Sequence, residues 1–328
     1  MKYKIGVTTS PEYPVIMDKV RSVFKNVALA EEIEMPFRQL SKSEVDSFAQ
    51  ILKPYDALLV RSGVFSSDIL KQLNQLKVIC VHGAGYDQID VNSAEKLGIC
   101  VLNTPGANAN AVIELTIGLM LALQRNLYDS MFMFKHEHNW TKAKRLGQEL
   151  NGKTLGLFGF GKIGYGVAQR ALALRMKVKV YDPYITSPTE MENVELCGNL
   201  DHMLGESHII SLHAPLTPQT RHVINEEAFS KMRDGALLVN TSRGGLVNEQ
   251  DLYEALLKGK LGGAALDVFE SEPISSDCPL YKLKNVIITP HVGGSTIEAL
   301  ENVAEMASKE IKTYLETKKT KYRIISPS

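Results

Sequence analysis

Three glycines near the middle of the chain, spaced Gly159-x-Gly161-x-x-Gly164, restrict the possible folds more than any other feature of this sequence. They follow the apolar run TLGLF and open the helical segment YGVAQRALAL, and a second apolar run, KVKVYD, ends at Asp182. In a strand–turn–helix–strand unit of this kind, backbone amides and the positive end of a helix dipole face a bound pyrophosphate. The motif therefore predicts a unit that binds a dinucleotide.

The carboxylate of Asp182 indicates which dinucleotide binds. A carboxylate at this position accepts hydrogen bonds from the ribose hydroxyls of NAD and repels the 2′-phosphate of NADP. No arginine that could hold such a phosphate stands in PYITSPTE, the segment that follows. The sequence therefore predicts NAD, and the alternative interpretation is a surface aspartate that caps a turn.

Apolar runs that end in Gly, Ser, Asn or Pro alternate with helical patterns along the chain. The first hundred residues contain the runs KIGVTT, DALLVRSG, KVICVHGAG and ICVLNTPG. After Asn151 follow the runs KTLGLFGFGKIG, KVKVYDPY, SHIISLHAPL, GALLVNTSRGG, GAALDVFE and NVIITPHVGG. Continuous apolar runs are typical of parallel strands covered by helices on both faces. The pattern predicts an α/β protein, and 328 residues are enough for two domains.

Between the two sets of strands lies a helical segment, ANAVIELTIGLMLALQRN, that is apolar on nearly every side. A helix of this kind has to be buried on more than one face. The segment after it, YDSMFMFKHEHNWTKAKRLGQEL, mixes aromatic residues and methionines with charges and shows no clear period. It is either an arm that contacts a partner subunit or an ordinary surface loop. The last segment, TIEALENVAEMASKEIKTYLETKK, predicts an amphipathic helix.

Composition excludes several classes of partner. The 37 basic and 37 acidic residues balance, so neither a nucleic acid nor an anionic membrane is predicted to bind. Cys80, Cys100, Cys197 and Cys278 are scattered and form no metal or disulfide framework, which fits a reducing compartment. The N-terminus has no secretory apolar segment, and the longest apolar stretch, residues 111–123, is too short to span a bilayer. We expect a soluble cytoplasmic protein.

Three residues at strand ends in the second half, Arg243, Glu272 and His291, have the chemistry that hydride transfer to a ketone requires. Ligands of open α/β sheets bind outside the carboxyl ends of the strands. The fork of an arginine can hold a carboxylate or carbonyl, and a histidine can exchange a proton near neutral pH. A carboxylate beside the imidazole would favour its charged form and fix its tautomer. Each residue alone has an ordinary alternative, as an ion pair, a surface acid or a turn residue.

The other histidines are weaker candidates. His213 in SLHAPLT also follows a strand, and we place it at the wall of the cofactor site. His82 lies beside a glycine-rich turn of the first domain, and His136 and His138 lie in the irregular arm. The sequence contains no GxSxG, no HExxH and no Cys/His cluster, which argues against a serine hydrolase and against a zinc site.

The motifs NGKTLGLFGFGKIG, VNTSRGGLVNEQDLYEAL, GGAALDVFESEP and TPHVGGSTIEA resemble the signatures of the D-isomer-specific 2-hydroxyacid dehydrogenases, most closely of the D-3-phosphoglycerate dehydrogenase branch. The resemblance extends over almost the whole chain. It implies a Rossmann-type dinucleotide-binding domain at residues 104–291 and a discontinuous flavodoxin-like substrate domain at residues 1–103 and 292–328. It also implies a homodimer formed through a helix and arm at about residues 108–150, and a short form without a C-terminal regulatory domain.

The resemblance further implies roles for individual residues. The catalytic residues would be Arg243, Glu272 and His291. The cofactor contacts would be Gly159, Gly161, Lys162, Ile163, Gly164, Asp182, His213, Pro215, Thr241, Ser242, Asp267, Gly293 and Gly294, with Asp267 at the nicotinamide carboxamide. The substrate contacts would be Arg61, Ser62, Gly83, Ala84, Gly85 and Asn108, with the amides of Gly83–Gly85 on the substrate carboxylate. No metal is implied.

The identity of the substrate is the least constrained expectation. The phosphoglycerate branch, which GGST favours, implies 3-phosphoglycerate and a role in serine biosynthesis. Against it, Gly63, Val64 and Phe65 follow Arg61 and Ser62 where relatives with phosphorylated substrates often carry a polar or basic residue. The segment GAGYDQID also resembles some glyoxylate and hydroxyacid reductases, and the alternative function is a glyoxylate or hydroxypyruvate reductase. An NAD(H)-sensing corepressor is an alternative from a different class of protein.

Overall fold

The computed structural model describes residues 2–138, 140, 146–185 and 191–325. The chain divides into two compact units, one formed by Met1–Ala109 and Ser295–Ser328 and the other by Asn110–Gly294. The chain thus begins in the first unit, completes the second and returns to the first. These boundaries lie a few residues beyond those expected at 103/104 and 291/292.

The first unit is built on a six-stranded sheet with the order β13-β5-β4-β3-β1-β2. All neighbouring strands are parallel except β13, which runs antiparallel to β5. With elements numbered in chain order, the strands are β1 (Tyr3–Thr9), β2 (Ala28–Glu34), β3 (Ala57–Val60), β4 (Val78–Val81), β5 (Cys100–Leu102) and β13 (Arg323–Ile324). The central strands β3, β4 and β5 are buried throughout, which explains their continuous apolar sequences.

Helices cover both faces of this sheet and bury a separate apolar core on each. They are α1 (Met17–Phe24), α2 (Lys42–Leu52), α3 (Ser67–Leu70), α4 (Val91–Lys96) and α11 (Ile297–Thr317). One core joins α1 and α11 to the sheet, and the other joins α2, α3 and α4 to the opposite face. The side chain of Thr296 accepts a hydrogen bond from the amide of Ala299 and so caps the start of α11. The predicted amphipathic helix at the end of the chain is thereby confirmed.

The second unit contains a seven-stranded parallel sheet with the order β12-β11-β10-β9-β6-β7-β8. Its strands are β6 (Thr154–Phe158), β7 (Lys177–Tyr181), β8 (Val194–Leu196), β9 (Ile209–Leu212), β10 (Ala236–Asn240), β11 (Leu261–Leu266) and β12 (Val286–Ile288). Its helices are α5 (Ala109–Gln124), α6 (Leu127–Glu137), α7 (Lys162–Ala173), α8 (Leu200–Glu206), α9 (Glu226–Lys231) and α10 (Glu249–Leu257). The strand order reverses between β6 and β9, where doubly wound sheets bind their ligands.

Helix α5 is the long apolar helix of the sequence, and it is buried on most of its circumference. One stripe remains exposed and includes Gly118 and Leu121. Neither α5 nor any other helix in the described part of the chain is long and apolar enough to cross a membrane.

The apolar runs read as strands in the sequence all form strands, but three edge strands, β2, β8 and the two-residue β13, escaped prediction. Strand β2 has the sequence ALAEEIE, whose polar residues obscure the apolar pattern, and β8 is only three residues long. The arm was predicted to be irregular, and this is wrong for its first part, because Leu127–Glu137 forms α6. His136 therefore lies on a helix, where its ring stacks on Phe132 with centroids 4.7 Å apart. Residues 139 and 141–145 of the arm lie outside the described residues.

Candidate active site

The glycine motif forms a tight turn between β6 and α7, and each glycine has a separate steric reason. Gly159 has a φ of +94°, and a Cβ atom there would lie 2.7 Å from the backbone of His213 and Ala214. A Cβ at Gly164 would overlap the carbonyl of Gly159, so helix and strand could not pack as they do. Gly161 stands before the first turn of α7 with nothing within 4 Å of its Cβ position. Two glycines thus permit the turn and the third leaves open space at a helix N-terminus, which fits a pyrophosphate.

Asp182 directly follows β7, and its carboxylate is held beside the glycine turn. One oxygen accepts the amide of Phe160 at 2.8 Å and the other accepts the amide of Tyr184 at 3.0 Å. Each carboxylate oxygen has a second lone pair, so acceptor capacity remains for ribose hydroxyls. The PYITSPTE segment is only partly described, because residues 186–190 lie outside the described range.

Glu272 and His291 are in close contact, with 2.6 Å between Oε2 of Glu272 and Nδ1 of His291. The other carboxylate oxygen accepts the amide of Phe269 at 3.0 Å. Burial alone would raise the pKa of Glu272, but the hydrogen bond and charge of His291, the Phe269 amide and the charge of Arg243 hold that pKa below its ordinary value. The pair therefore contains an ionised carboxylate that fixes the imidazole through Nδ1 and leaves Nε2 facing away from it.

The turn that carries His291 is held by Asp267, a residue whose structural role the sequence did not reveal. Asp267 is almost fully buried, and its carboxylate accepts the amides of Val292 and Gly293, both at 2.8 Å, and the hydroxyl of Thr289 at 2.6 Å. These bonds fix His291 at a φ of +52°, which is a strained conformation for a residue with a side chain. The expected contact of Asp267 with a nicotinamide carboxamide would have to use the one lone pair that remains.

Arg243 follows β10, as Glu272 and His291 follow β11 and β12. Because these strands are adjacent and parallel, all three residues lie at the same edge of the sheet. Nη1 of Arg243 donates to the carbonyl of Ser242 at 2.6 Å. The structure thus brings the three predicted catalytic residues to neighbouring strand ends.

Thr241 and Ser242, which were predicted to contact the cofactor, have hydroxyls with other partners. Oγ1 of Thr241 is buried and lies 2.8 Å from Oγ1 of Thr116 on α5. The hydroxyl of Ser242 donates to Oδ1 of Asn240 at 3.2 Å. The Thr241 hydroxyl thus already has one hydrogen-bond partner and keeps only acceptor capacity for a cofactor, because Thr116 donates its own hydrogen to the carbonyl of Val112.

His213 follows β9 and packs behind the glycine turn. Its Nε2 lies 2.9 Å from the hydroxyl of Ser211, and its Nδ1 is buried without a hydrogen-bond partner among the residues that the structure describes. Burial lowers the pKa of His213 to about 3, so the ring is neutral at physiological pH. This agrees with a place in the wall of the cofactor site and disfavours His213 as the proton donor. Nearby, Lys162 and Ile163 form the first turn of α7, and Pro215 is exposed.

In the first unit, Arg61 follows β3 and has little exposure for a charged residue. Within the described part of the chain its Nε is buried without a hydrogen-bond partner, and its guanidinium lies 5.4 Å from the ring centroid of Tyr13. Burial lowers the pKa of Arg61. His82, at the end of β4, is also buried, and its Nε2 has no hydrogen-bond partner in the same described ranges. Burial together with the charge of Arg61 lowers the pKa of His82 to about 3. Sequence spacing could not reveal this cluster, because its members come from three separate loops.

Two of the groups expected to contact the substrate in the first unit have hydrogen-bond partners within the chain. Ser62 is fully buried and donates its hydroxyl to the carbonyl of Met35 at 2.5 Å, so this side chain is not available to a substrate. The amide of Gly83 is already shared between Oγ1 of Thr104 at 3.0 Å and a backbone carbonyl.

The amides of Ala84 and Gly85 have no acceptor among the described residues and remain candidates for binding a carboxylate. Asn108 lies in the turn that leads into α5.

A cluster of possible metal ligands lies away from this site and was not anticipated from the sequence. One ligand atom each from Glu195, Cys197 and His202 lies within 4.8 Å of the others. The ammonium of Lys179, however, forms ion pairs with Glu195 at 2.7 Å and with Glu206 at 2.6 Å. Burial raises the pKa of the Cys197 thiol, which disfavours the thiolate that a metal needs. We interpret the cluster as an ion-pair network around the lysine.

A glycine turn with an acidic residue on the following strand, beside a histidine–carboxylate pair at the carboxyl edge of a parallel sheet, defines the class of nucleotide-dependent oxidoreductases. Residues 117–293 match the family model described as "D-isomer specific 2-hydroxyacid dehydrogenase, NAD binding domain". The chain belongs to the D-isomer-specific 2-hydroxyacid dehydrogenases and is an NAD-dependent oxidoreductase.

Relatives of known activity support the family but differ in substrate. The chain is 46% identical over 286 residues to a hydroxypyruvate reductase of Thermotoga maritima, covering 86% of this chain and 91% of that protein. It is 45% identical over 266 residues to a D-3-phosphoglycerate dehydrogenase of Methanocaldococcus jannaschii, covering 80% of this chain and 50% of that protein. Other relatives are named glyoxylate reductases. The chain spans about half the length of the phosphoglycerate dehydrogenases it matches.

Solved structures agree with the fold. An NAD⁺-bound 3-phosphoglycerate dehydrogenase of Entamoeba histolytica superposes with a TM-score of 0.80 at 29% identity, covering 99% of each chain. The predictions of the family, of the α/β fold and of NAD as cofactor are therefore confirmed.

We expect Asp182→Asn to weaken NADH binding and to reduce the preference for NADH over NADPH. Loss of a charged hydrogen bond of about 1.5–3 kcal/mol corresponds to roughly 10- to 100-fold in Kd. The repulsion of a 2′-phosphate is lost at the same time. Fluorescence titration with both cofactors measures the ratio, and Asp234→Asn, an exposed aspartate paired with Lys260, is the control. An unchanged ratio of the two dissociation constants would show that Asp182 does not select the cofactor.

Proposed function

We propose that this protein interconverts a D-2-hydroxy acid and its 2-oxo acid, with 3-phosphoglycerate and 3-phosphohydroxypyruvate as the leading pair. The observation that supports a catalytic role most strongly is the 2.6 Å contact between Glu272 and His291, with Arg243 on the adjacent strand end. This substrate would place the enzyme in serine biosynthesis in the cytoplasm.

Bound NAD supplies the hydride acceptor or donor, and the residues of the chain handle the proton and the charge. Nε2 of His291 takes the proton of the substrate hydroxyl during oxidation and returns it during reduction. Glu272 holds the ring through Nδ1 and stabilises its charged form. The guanidinium of Arg243 binds the substrate carboxylate or carbonyl and polarises it.

The buried guanidinium of Arg61 supports a substrate with a second anionic group. A buried charge is costly unless an opposite charge compensates it, and of the described residues Tyr13 and His82 lie near Arg61 without supplying a negative charge. Binding of a phosphate would supply the compensating charge. The similarity to a phosphoglycerate dehydrogenase points in the same direction.

Hydroxypyruvate or glyoxylate reduction is the second candidate. The hydroxypyruvate reductase of T. maritima is similar over 91% of its length, whereas the phosphoglycerate dehydrogenases are similar over about half of theirs. The residues after Ser62 are also apolar, so this loop adds no further positive charge. Gly63 packs closely against the side chain of Met35.

A steady-state comparison of 3-phosphohydroxypyruvate, hydroxypyruvate and glyoxylate with NADH distinguishes the two candidates. We expect the phosphorylated substrate to have a kcat/KM at least about 10-fold above hydroxypyruvate, because a charged hydrogen bond contributes about 1.5–3 kcal/mol. Arg61→Gln should reduce this ratio to near unity. Arg38→Gln, which removes an exposed arginine paired with Glu44, should leave it unchanged.

If hydroxypyruvate and its phosphate gave kcat/KM values within a few-fold of each other, Arg61 would not bind phosphate. The reductase function would then replace the leading proposal, while the roles of the catalytic residues would stand.

The exposed apolar face of α6 supports a homodimer. Leu127, Tyr128, Met131, Phe132 and Phe134 are all between 44% and 69% exposed on this one helix. Monomeric proteins rarely leave so many neighbouring large apolar side chains in water. The exposed stripe of α5 adds Leu121 on the preceding helix. We infer that α5 and α6 pack against the same helices of a second copy.

The double substitution Met131→Asp and Phe134→Asp is expected to convert the dimer to a monomer, because each places a charge in an apolar interface. Light scattering after size exclusion measures the mass. Leu257→Asp is the matched control, since Leu257 is 59% exposed on α10, away from the proposed interface. A wild-type protein that is monomeric at micromolar concentration would contradict the proposed dimer.

A further inference from the structure

A second histidine–carboxylate pair lies beside the catalytic pair in the second unit. Nε2 of His222 is 3.0 Å from Oε2 of Glu270, and Glu270 stands two residues before Glu272. The other oxygen of Glu270 accepts the amide of Glu249 at 2.9 Å, while Oε1 of Glu249 accepts the amide of Glu270 at 2.6 Å. Each glutamate thus binds the backbone of the other, and we call Glu249, Glu270 and His222 together the glutamate clamp.

The glutamate clamp joins the loops that carry two of the proposed catalytic residues. Glu249 is the first residue of α10, and a short 3₁₀ turn, Gly244–Leu246, connects this helix to Arg243. Glu270 belongs to the loop after β11, which also carries Glu272. The clamp therefore ties the segment after Arg243 to the segment before Glu272, at the same edge of the sheet.

Backbone contacts at the same place show that the loops fit closely. A Cβ atom at Gly244 would overlap the backbone of Phe269 and Glu270. The amide of His222 donates to the carbonyl of Gly245 at 2.8 Å, so the third member of the clamp is also fixed to the turn after Arg243. A shift of either loop would break several of these contacts together.

The glutamate clamp brings negative charges together, and its histidine and two backbone amides offset them. Burial raises the pKa of Glu249, and the charges of Glu270 and Glu272 raise it further, whereas the amide of Glu270 and His222 act in the opposite direction. Three carboxylates are thus close enough to repel one another. The amides and the imidazole offset this repulsion and keep the loops together while Glu272 remains available to His291.

An ordinary surface ion pair is the alternative explanation, and such pairs contribute only about 0–1 kcal/mol. The side chains of His222 and Glu270 are 35% and 32% exposed, so their ion pair alone would not be decisive. The reciprocal carboxylate–amide bonds are different, because they fix backbone to backbone across two loops.

We propose that Glu270, held by Glu249 and His222, is a positioning residue that fixes Glu272 relative to Arg243 and thereby sets the alignment of His291. The proposal rests on the catalytic roles assigned above to these three residues. Glu270 touches neither substrate nor cofactor in this scheme and acts only through Glu272.

The test compares Glu270→Ala, Glu270→Gln and Glu272→Gln with the double variant Glu270→Ala/Glu272→Gln. Glu270→Ala should lower kcat about 10-fold or more with an unchanged Kd for NADH, because small displacements of catalytic groups cost up to about 10²-fold. Glu270→Gln keeps an acceptor for the Glu249 amide and should recover most of this loss. In the Glu272→Gln background the Glu270→Ala change should have little further effect.

Glu254→Ala is the matched control, since Glu254 is an exposed glutamate on α10 that pairs with Lys258. It should leave kcat unchanged. Thermal melting of every variant monitors folding. If the Glu270→Ala variant unfolds, the variants Glu270→Gln and Glu249→Gln take its place in the test.

A kcat for Glu270→Ala within two-fold of wild type would overturn the proposal. It would also be overturned if the loss of kcat in the double variant equalled the product of the losses in Glu270→Ala and Glu272→Gln. If Glu272→Gln itself kept full kcat, the catalytic assignment would fail first and the positioning role would fail with it. Failure of the positioning role and failure of the catalytic assignment can be told apart by the single variant Glu272→Gln. Its kcat is reduced if only the positioning role fails, and unchanged if the catalytic assignment fails.

Discussion

Three neighbouring parallel strands, β10, β11 and β12, end at one edge of one sheet, and the geometry of the candidate active site depends on this. Their order places Arg243, Glu272 and His291 beside one another although they are distant in sequence. The 2.6 Å contact between Glu272 and His291 is the direct result. It requires the turn after β12 to hold His291 at a positive φ, which the buried carboxylate of Asp267 achieves through three hydrogen bonds.

The remainder of the second unit supports this edge. The glycine turn after β6 leaves open space at the start of α7, and the backbone around His213 packs directly behind it. Burial keeps His213 neutral, whereas Nδ1 of His291 lies 2.6 Å from the carboxylate of Glu272. Two histidines at strand ends of the same sheet thus have different surroundings.

Sequence patterns predicted the family, the α/β fold and NAD because these depend on local spacing. The glycine motif and the strand-end motifs are each contiguous in the sequence, so each can be recognised from neighbouring residues alone. The edge strand β2 was missed because ALAEEIE is half polar, and α6 was missed because its apolar residues face outward rather than toward a core. Contacts between distant loops left no sequence signal, including the clamp of Glu249 and Glu270.

The same reason explains why the sequence did not show the partners of individual site residues. Ser62 and Gly83 stand in the expected motifs, but their polar groups bind Met35 and Thr104, which are distant in sequence. Arg61 was expected to contact the substrate, and the structure adds that it is buried without a compensating anion among the described residues.

The most direct test of the account is the kcat of His291→Asn for reduction of a 2-oxo acid, measured together with the Kd for NADH. General acid–base catalysis contributes about 10²–10⁴-fold, so kcat should fall by at least about 10²-fold while NADH binds as in the wild type. A variant that retained more than about a tenth of the wild-type kcat would contradict the role of His291 as the acid–base residue.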